Sequence, residues 1–140
     1  MPSSAFLDSN VFIFAFERRP SNSRRIIEML VAGGLRGVVT DRIVREVMRY
    51  FRKYYGKDLA AKFRDLILLT CDLVLDEDLE IPAEPVQLVG TKDAAALATT
   101  RAMGLGRLVS TDRDFQKVAE WRTPREFLHE LREPRQAGDE

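Results

Sequence analysis

The sequence predicts an α/β fold built on a mainly parallel sheet. Three observations carry that expectation. Short apolar runs of strand length, at residues 5–8, 35–40 and 108–110, alternate with longer stretches whose apolar residues recur at helical spacing. Caps and glycines punctuate the helical stretches. Acids stand where strands end or helices begin, and sheets of this class place their sites beyond the carboxyl ends of their strands.

Residues 5–8 read as a buried strand that ends in the polar turn Ser9-Asn10. Val11 to Phe16 opens a short helix, which Arg18 to Asn22, with Pro20, interrupts. Ser21 or Asn22 caps a second helix through Ile26, Ile27, Met29 and Leu30, stopped by Gly33-Gly34. The run around Gly37, Val38 and Val39 is a second strand. Thr40 or Asp41 caps a third helix whose apolar positions are Ile43, Val44, Val47, Met48 and Phe51. Gly56 interrupts it, and residues 58–69 form a fourth helix. Residues 73–75 suit a short strand, and residues 76–85, acidic and carrying Pro82 and Pro85, a loop. Thr91 caps an alanine-rich helix that ends at Gly104. After the strand at 108–110, Asp114 caps a short helix from Phe115. Thr123-Pro124-Arg125-Glu126 is a capping box with proline in the first turn, opening a last helix through Phe127, Leu128 and Leu131. Residues 1–131 are expected to form one domain, and the polar tail 132–140 to fray.

With 140 residues, 45% hydrophobic and 31% charged, the chain suits one globular core rather than disorder. No apolar run approaches the ~20 residues of a membrane span. The first residues lack the basic start and apolar stretch of a secretory signal, so a cytoplasmic location is expected. Cys71 is alone, which excludes an internal disulfide and a thiolate metal cluster and leaves it as a small buried filler. His129 is also alone, which excludes chemistry built on several histidines. Net charge is zero, yet residues 1–57 carry +6 (eleven Lys/Arg, five Asp/Glu) and residues 58–140 carry −6 (eleven and seventeen). The basic half includes Arg18, Arg19, Arg42, Arg45, Arg49, Arg52 and Lys53, able to meet a phosphate backbone or simply to solvate helix faces.

Any chemistry must therefore rest on carboxylates, hydroxyls and bases. Asp8 and Asp112 follow strands, Asp93 opens the alanine-rich helix, and Asp114 comes two residues after Asp112. Parallel strands would bring Asp8 and Asp112 to one crevice, and Glu46, just over one turn into the third helix, reaches the same place. Each acid also has an ordinary reading. Asp93 and Asp114 suit helix N-termini, Asp112 a turn, and Glu46 an exposed helix face. Asp8 is harder to dismiss, because a carboxylate beside a buried strand costs several kcal/mol unless paired. A divalent cation, Mg²⁺ or Mn²⁺, would neutralise all of them with oxygen ligands.

These segments resemble the motifs of PIN domains. F-L-D-S-N-V-F-I is similar to the opening motif, V-R-E-V-M to the helix of the glutamate, K-D-A-A-A-L-A-T-T-R-A to the helix of the third acid, L-V-S-T-D-R-D-F to the fourth motif and W-R-T-P-R-E-F-L to the close of the domain. The likeness spans about residues 5–131 and is nearest to VapC-type toxin ribonucleases. It implies a three-layer α/β/α fold with a twisted, mainly parallel sheet and a Mg²⁺- or Mn²⁺-dependent endoribonuclease site. By that resemblance Asp8, Glu46, Asp93 and Asp112 are the catalytic quartet, and Asp114 is an additional metal-binding acid beside Asp8, Asp93 and Asp112. Ser9 and Asn10 orient the first aspartate, and Thr111, or Ser110, supplies a hydroxyl at the fourth motif. Arg42, Arg45, Arg49 and Lys92 are candidate RNA contacts. The stretch E-P-V-Q-L-V-G-T-K before Asp93 departs from the helical lead-in of typical toxins. The resemblance implies a homodimer and a VapB-type antitoxin partner that plugs the acidic crevice. Phe12, Phe14 and Phe16 are either core or the lining of such a groove.

Other readings remain. A stand-alone PIN nuclease that processes RNA, or a non-catalytic PIN module that binds RNA or protein, fits the same motifs. A haloacid-dehalogenase-type phosphatase needs a second aspartate where Asn10 stands. A phosphoryl-receiver domain needs paired acids after the first strand and a phosphorylatable aspartate after a later central strand, which cannot be placed in this sequence.

Overall fold

A computed structural model describes residues 2–138 and 140. The chain runs β1 (Ser3–Leu7), α1 (Ser9–Glu17), α2 (Asn22–Val31), β2 (Leu35–Thr40), α3 (Asp41–Tyr55), α4 (Lys57–Thr70), β3 (Cys71–Val74), α5 (Ala83–Ala102), β4 (Leu108–Val109), β5 (Trp121–Arg122) and α6 (Pro124–Glu130). The five strands form one sheet in the order β3-β2-β1-β4-β5. All four pairings are parallel, with Phe6 beside both Val38 and Leu108. Helices flank the sheet in the expected three-layer arrangement, and α5 lies against β1, β2 and β4. Because every strand points the same way, the residues just beyond Leu7 and Val109 emerge at one edge.

The core explains the strand composition. Ala5, Phe6, Leu7, Val38, Val39, Leu108 and Val109 are fully buried, as a sheet covered on both faces requires. Gly37 stands in β2 because there is no room for a side chain. A Cβ there would lie 2.8 Å from Leu30 Cδ1 and 3.1 Å from Cys71 Sγ. Cys71 is only half-buried, and its burial among apolar neighbours pushes the thiol up to about 11. Phe16, Phe51 and Phe63 pack as an aromatic cluster where α1 meets the α3–α4 hairpin, with Phe51 and Phe63 stacked at 4.2 Å.

The caps fall largely where expected. The Ser21 hydroxyl accepts from Arg24 N and the Thr40 hydroxyl from Ile43 N, and the Thr123/Glu126 capping box is present. Four readings change. Ser9 and Asn10 open α1 rather than form a separate turn, and Asp8 is its N-cap. The stretch 83–89 is helical and does lead into the alanine-rich helix. Gly90, at φ 81° and ψ 168°, breaks the two apart in a conformation that favours glycine. Proline at position 85 sits in the first turn of that lead-in, where a missing N–H costs nothing, so it opens the helix instead of forbidding it. Asp112, not Asp114, caps the turn of 3-10 helix at Arg113–Phe115. The tail does not fray over its described part: buried Asn22 accepts from Gln136 N and donates to the Gln136 and Gly138 carbonyls, and Arg25 pairs with Glu133 at 2.9 Å.

Candidate active site

Asp8 follows β1 and caps α1, so its backbone is fixed by the sheet and its carboxylate by the helix start. It is buried. Oδ1 accepts from Ser9 N at 2.8 Å. Oδ2 accepts from the Ser110 hydroxyl at 2.7 Å and from Asn10 Nδ2 at 3.3 Å. Burial pushes the Asp8 carboxyl up to about 6; the Ser110 and Ser9 hydrogen bonds pull the other way, and the charges of Glu46 and Asp93 add to the rise.

Ser110, one residue past β4 and fully buried, joins three parts of the site. Its hydroxyl donates to Asp8 and accepts from Asn10 Nδ2 and from Asp112 N, each at 3.0 Å. Asn10 completes the link between the two strand ends by accepting from Thr111 N at 3.1 Å. Trp121, on β5, locks the same segment by donating its indole N–H to the Ser110 carbonyl at 2.9 Å. The hydroxyl that bonds Asp8 is thus that of Ser110, and Thr111 meets the cluster through its backbone amide. Ser110 is fully buried beside Leu108 and Val109, whereas Thr111 is half-exposed, a difference that spacing in the sequence leaves open.

Glu46 enters from α3. Ser9 Oγ donates to Glu46 Oε2 at 2.9 Å, so one serine holds Asp8 through its amide and Glu46 through its hydroxyl. The other oxygen of Glu46 pairs with Arg42 at 3.3 Å. Asp93 comes from the start of the alanine-rich part of α5. Burial raises its carboxyl, as do Asp112, Asp114 and Glu46, while Lys92 opposes the rise. Asp93, Asp112 and Asp114 each offer a carboxylate oxygen within 4.8 Å of the others. Among the described residues this is the group with donors close enough to share a metal ion. Asp114 is exposed, and it is its backbone N–H, not its side chain, that bonds Asp112.

The candidate RNA contacts divide. Arg42, Arg45, Arg49 and Lys92 all line one cleft of ≈820 Å³ together with Ser9 and Glu46. Arg45 is held there by Asp41 at 2.8 Å and Asp76 at 3.2 Å, and Arg42 by Glu46. Arg49 is exposed and makes no ion pair among the described residues. Of the three phenylalanines, Phe12 is core and Phe16 packs on Phe51 and Phe63. Phe14 is half-exposed with the Arg18 guanidinium 4.1 Å above its ring.

A parallel α/β sheet with carboxylates from four elements gathered at its carboxyl edge defines the class. Residues 4–120 match the family described as PIN domain, and the chain belongs to that family. Two solved structures share the fold. One is a toxin–antitoxin complex from Klebsiella pneumoniae, at 21% identity and TM-score 0.60, covering 87% of this chain and 98% of that one. The other is VapBC2 from Rickettsia felis bound to a DNA fragment from its promoter, at 14% identity and TM-score 0.58, covering 84% and 95%. No curated protein matches the chain. No helix among the described residues is long and apolar enough to cross a membrane.

Proposed function

We propose that the chain is a Mg²⁺- or Mn²⁺-dependent endoribonuclease, the toxin of a VapBC-type toxin–antitoxin pair, working in the cytoplasm as a homodimer. The observation that carries the reading is the linking of Asp8, Glu46 and the Asp112 backbone at one sheet edge through Ser9, Ser110 and Asn10, with the Asp93 carboxylate within 4.8 Å of those of Asp112 and Asp114. Both fold neighbours are toxin–antitoxin complexes, which supports an antitoxin as partner.

The donor set fits a hard divalent cation. It consists of carboxylate oxygens alone, and three of them converge within 4.8 Å. Two of the acids, Asp8 and Asp93, are pushed up by burial and by their acidic neighbours, the condition a cation relieves. Asp8, Asp93, Asp112 and Asp114 would hold the ion, which when bound supplies charge neutralisation and polarises phosphate oxygens. The chain's own groups do the rest. Glu46, positioned by Ser9, accepts the proton of the attacking water. Ser110 and Asn10 keep Asp8 in one orientation. Lys92 and Arg49 face the phosphates from the adjoining cleft.

The test is cleavage of a mixed single-stranded RNA with Mg²⁺, with Mn²⁺ and with EDTA, beside Asp8→Asn. Metal-dependent cleavage that falls at least ~10²-fold in the variant is expected. Wild-type rates from Asp8→Asn would sink the site assignment. Folded wild type that binds RNA and never cleaves it would leave a binding module.

A further inference from the structure

The cleft beside Glu46 continues along α3, and its far wall is aromatic. Tyr50 and Tyr54, one helical turn apart, line it, with ring centroids 4.8 Å from each other and planes tilted by 49°. Tyr50 is held in place: its hydroxyl donates to Glu17 at 2.6 Å, and its ring meets Phe51 edge-on. Tyr54 is exposed, and Lys53 Nζ lies 5.2 Å from its ring centroid. Glu46, Arg49, Tyr50, Lys53 and Tyr54 follow the i, i+3, i+4, i+7, i+8 spacing of one helix face. That face does not end at the cleft. Arg49 and Lys53 also line a second hollow of ≈730 Å³ between α3 and α4, together with Arg52, Lys57 and Arg64 and a single acid, Asp58. Arg49, Arg52 and Lys57 make no ion pair among the described residues.

Charges left without acid partners over one continuous surface favour a polyanion. An anchored ring at Tyr50 and an exposed one packed on it at Tyr54 favour one whose bases are unstacked. We propose that the exposed face of α3 is a track for nucleotides flanking the scissile bond, with Tyr50 and Tyr54 stacking bases and Arg49, Arg52, Lys53 and Lys57 meeting phosphates. Tyr54 lies eight residues beyond Glu46, about 12 Å along the helix. The stacked bases therefore belong to neighbours of the cleaved nucleotide and set which sequences are held in register. The placement of the cleaved bond at Glu46 rests on the nuclease reading; the track itself does not.

Binding is measured apart from cleavage, by fluorescence anisotropy of a labelled 12-nucleotide RNA in EDTA, with the same sequence as a duplex for comparison. The expected result is preference for the single strand, loss of roughly tenfold in affinity for Tyr54→Ala, and retention in Tyr54→Phe. Arg49→Gln and Arg52→Gln should each lower the slope of log K against log salt by about 0.7, and Lys117→Gln, outside both hollows, should not. Equal affinity for the duplex, wild-type binding by Tyr54→Ala, or equal slopes for all three charge variants would overturn the track. So would absence of RNA binding by the folded protein at low salt, which would leave this face to a protein partner. Cleavage lost in Asp8→Asn with Tyr54→Ala binding as wild type would defeat the track and keep the nuclease. Binding as expected with no cleavage at any metal concentration would do the reverse.

Discussion

Asp8 and the group of Asp93, Asp112 and Asp114 stand at the same sheet edge, yet they are held there by different means. Asp8 is buried, and three donors within the chain, Ser9 N, Ser110 Oγ and Asn10 Nδ2, face its two oxygens. The other three converge within 4.8 Å from partly or fully exposed positions, and among their side chains only that of Asp112 accepts a hydrogen bond from the described residues, from Asp114 N. The first arrangement fixes direction at a cost to folding. The second gathers charge and leaves its compensation to solvent, to Lys92, or to an ion. An acid meant only to cap a helix does not need the Ser110 and Asn10 bonds, and acids meant only for solubility do not need to converge. The pairing of both in one place is what supports reading the edge as a site.

Titration separates the two kinds of acid most strongly. Asp8 has a folded value of about 6 against an ordinary 3.8. The unfolded chain therefore releases this proton first as pH rises, and the folded chain holds it longer, so stability from this group falls between about pH 4 and 6 and stays lowered above. Two pH units correspond to about 3 kcal/mol. The metal-free wild type should lose this increment relative to Asp8→Asn over that window, a difference of about 10 °C in Tm. Glu120 and Glu130, held low by Arg101 and by Arg122 with Arg107, gain stability in the opposite direction, but they do so in both proteins and cancel. Thermal unfolding in EDTA from pH 4 to 7 is the measurement. Parallel Tm curves for the two proteins would mean that Asp8 is not a strained buried acid.

A second test removes the hub without touching an acid. Ser110→Ala strips one donor from Asp8 in a buried bond and one acceptor from both Asn10 and Asp112 N in part-buried ones. The expected cost is about 1–3 kcal/mol of stability at pH 7, with activity or metal affinity lower by about 10–100-fold. Chemical denaturation and calorimetric Mn²⁺ titration separate the two losses. Thr111→Ala should show neither, since Thr111 contributes its amide. Equal losses in the two variants would return the hydroxyl role to Thr111.

The order of strands and helices was legible because it rests on local signals: the Val38-Val39 run, the Thr40 and Ser21 caps, the Thr123/Glu126 box. The gathering of Asp8, Asp93 and Asp112 was legible because the first and last follow strands and Asp93 begins a helix, which parallel topology brings to one edge; Glu46, over one turn into α3, came from its place beside the apolar stripe and from the family likeness. What escaped the sequence is what depends on tertiary partners. β5 is two residues long, Trp121-Arg122, and exists only because β4 offers it an edge. The lead-in of α5 was hidden by Pro85 and Gly90, which read as loop signals until one is seen to open a helical turn and the other to break it. The choice of Ser110 over Thr111, and the aromatic wall of Tyr50 and Tyr54, needed the direction of side chains that spacing alone leaves open.

The smallest expected effect concerns Asp114. Its carboxylate belongs to the convergent group but is exposed, and it is not bonded by any chain donor among the described residues. A charge in that position contributes about 0.2–1 kcal/mol through water. Asp114→Asn should thus weaken Mn²⁺ binding by less than about fivefold, whereas Asp93→Asn, which removes a half-buried acid from the centre of the same group, should weaken it far more. Calorimetric titration of both variants at one pH decides between them. If Asp114→Asn loses as much as Asp93→Asn, exposure does not rank these acids. The exposed side of the cluster would then be as firmly organised around an ion as Asp8 is around Ser110, with the ion in the place of the serine.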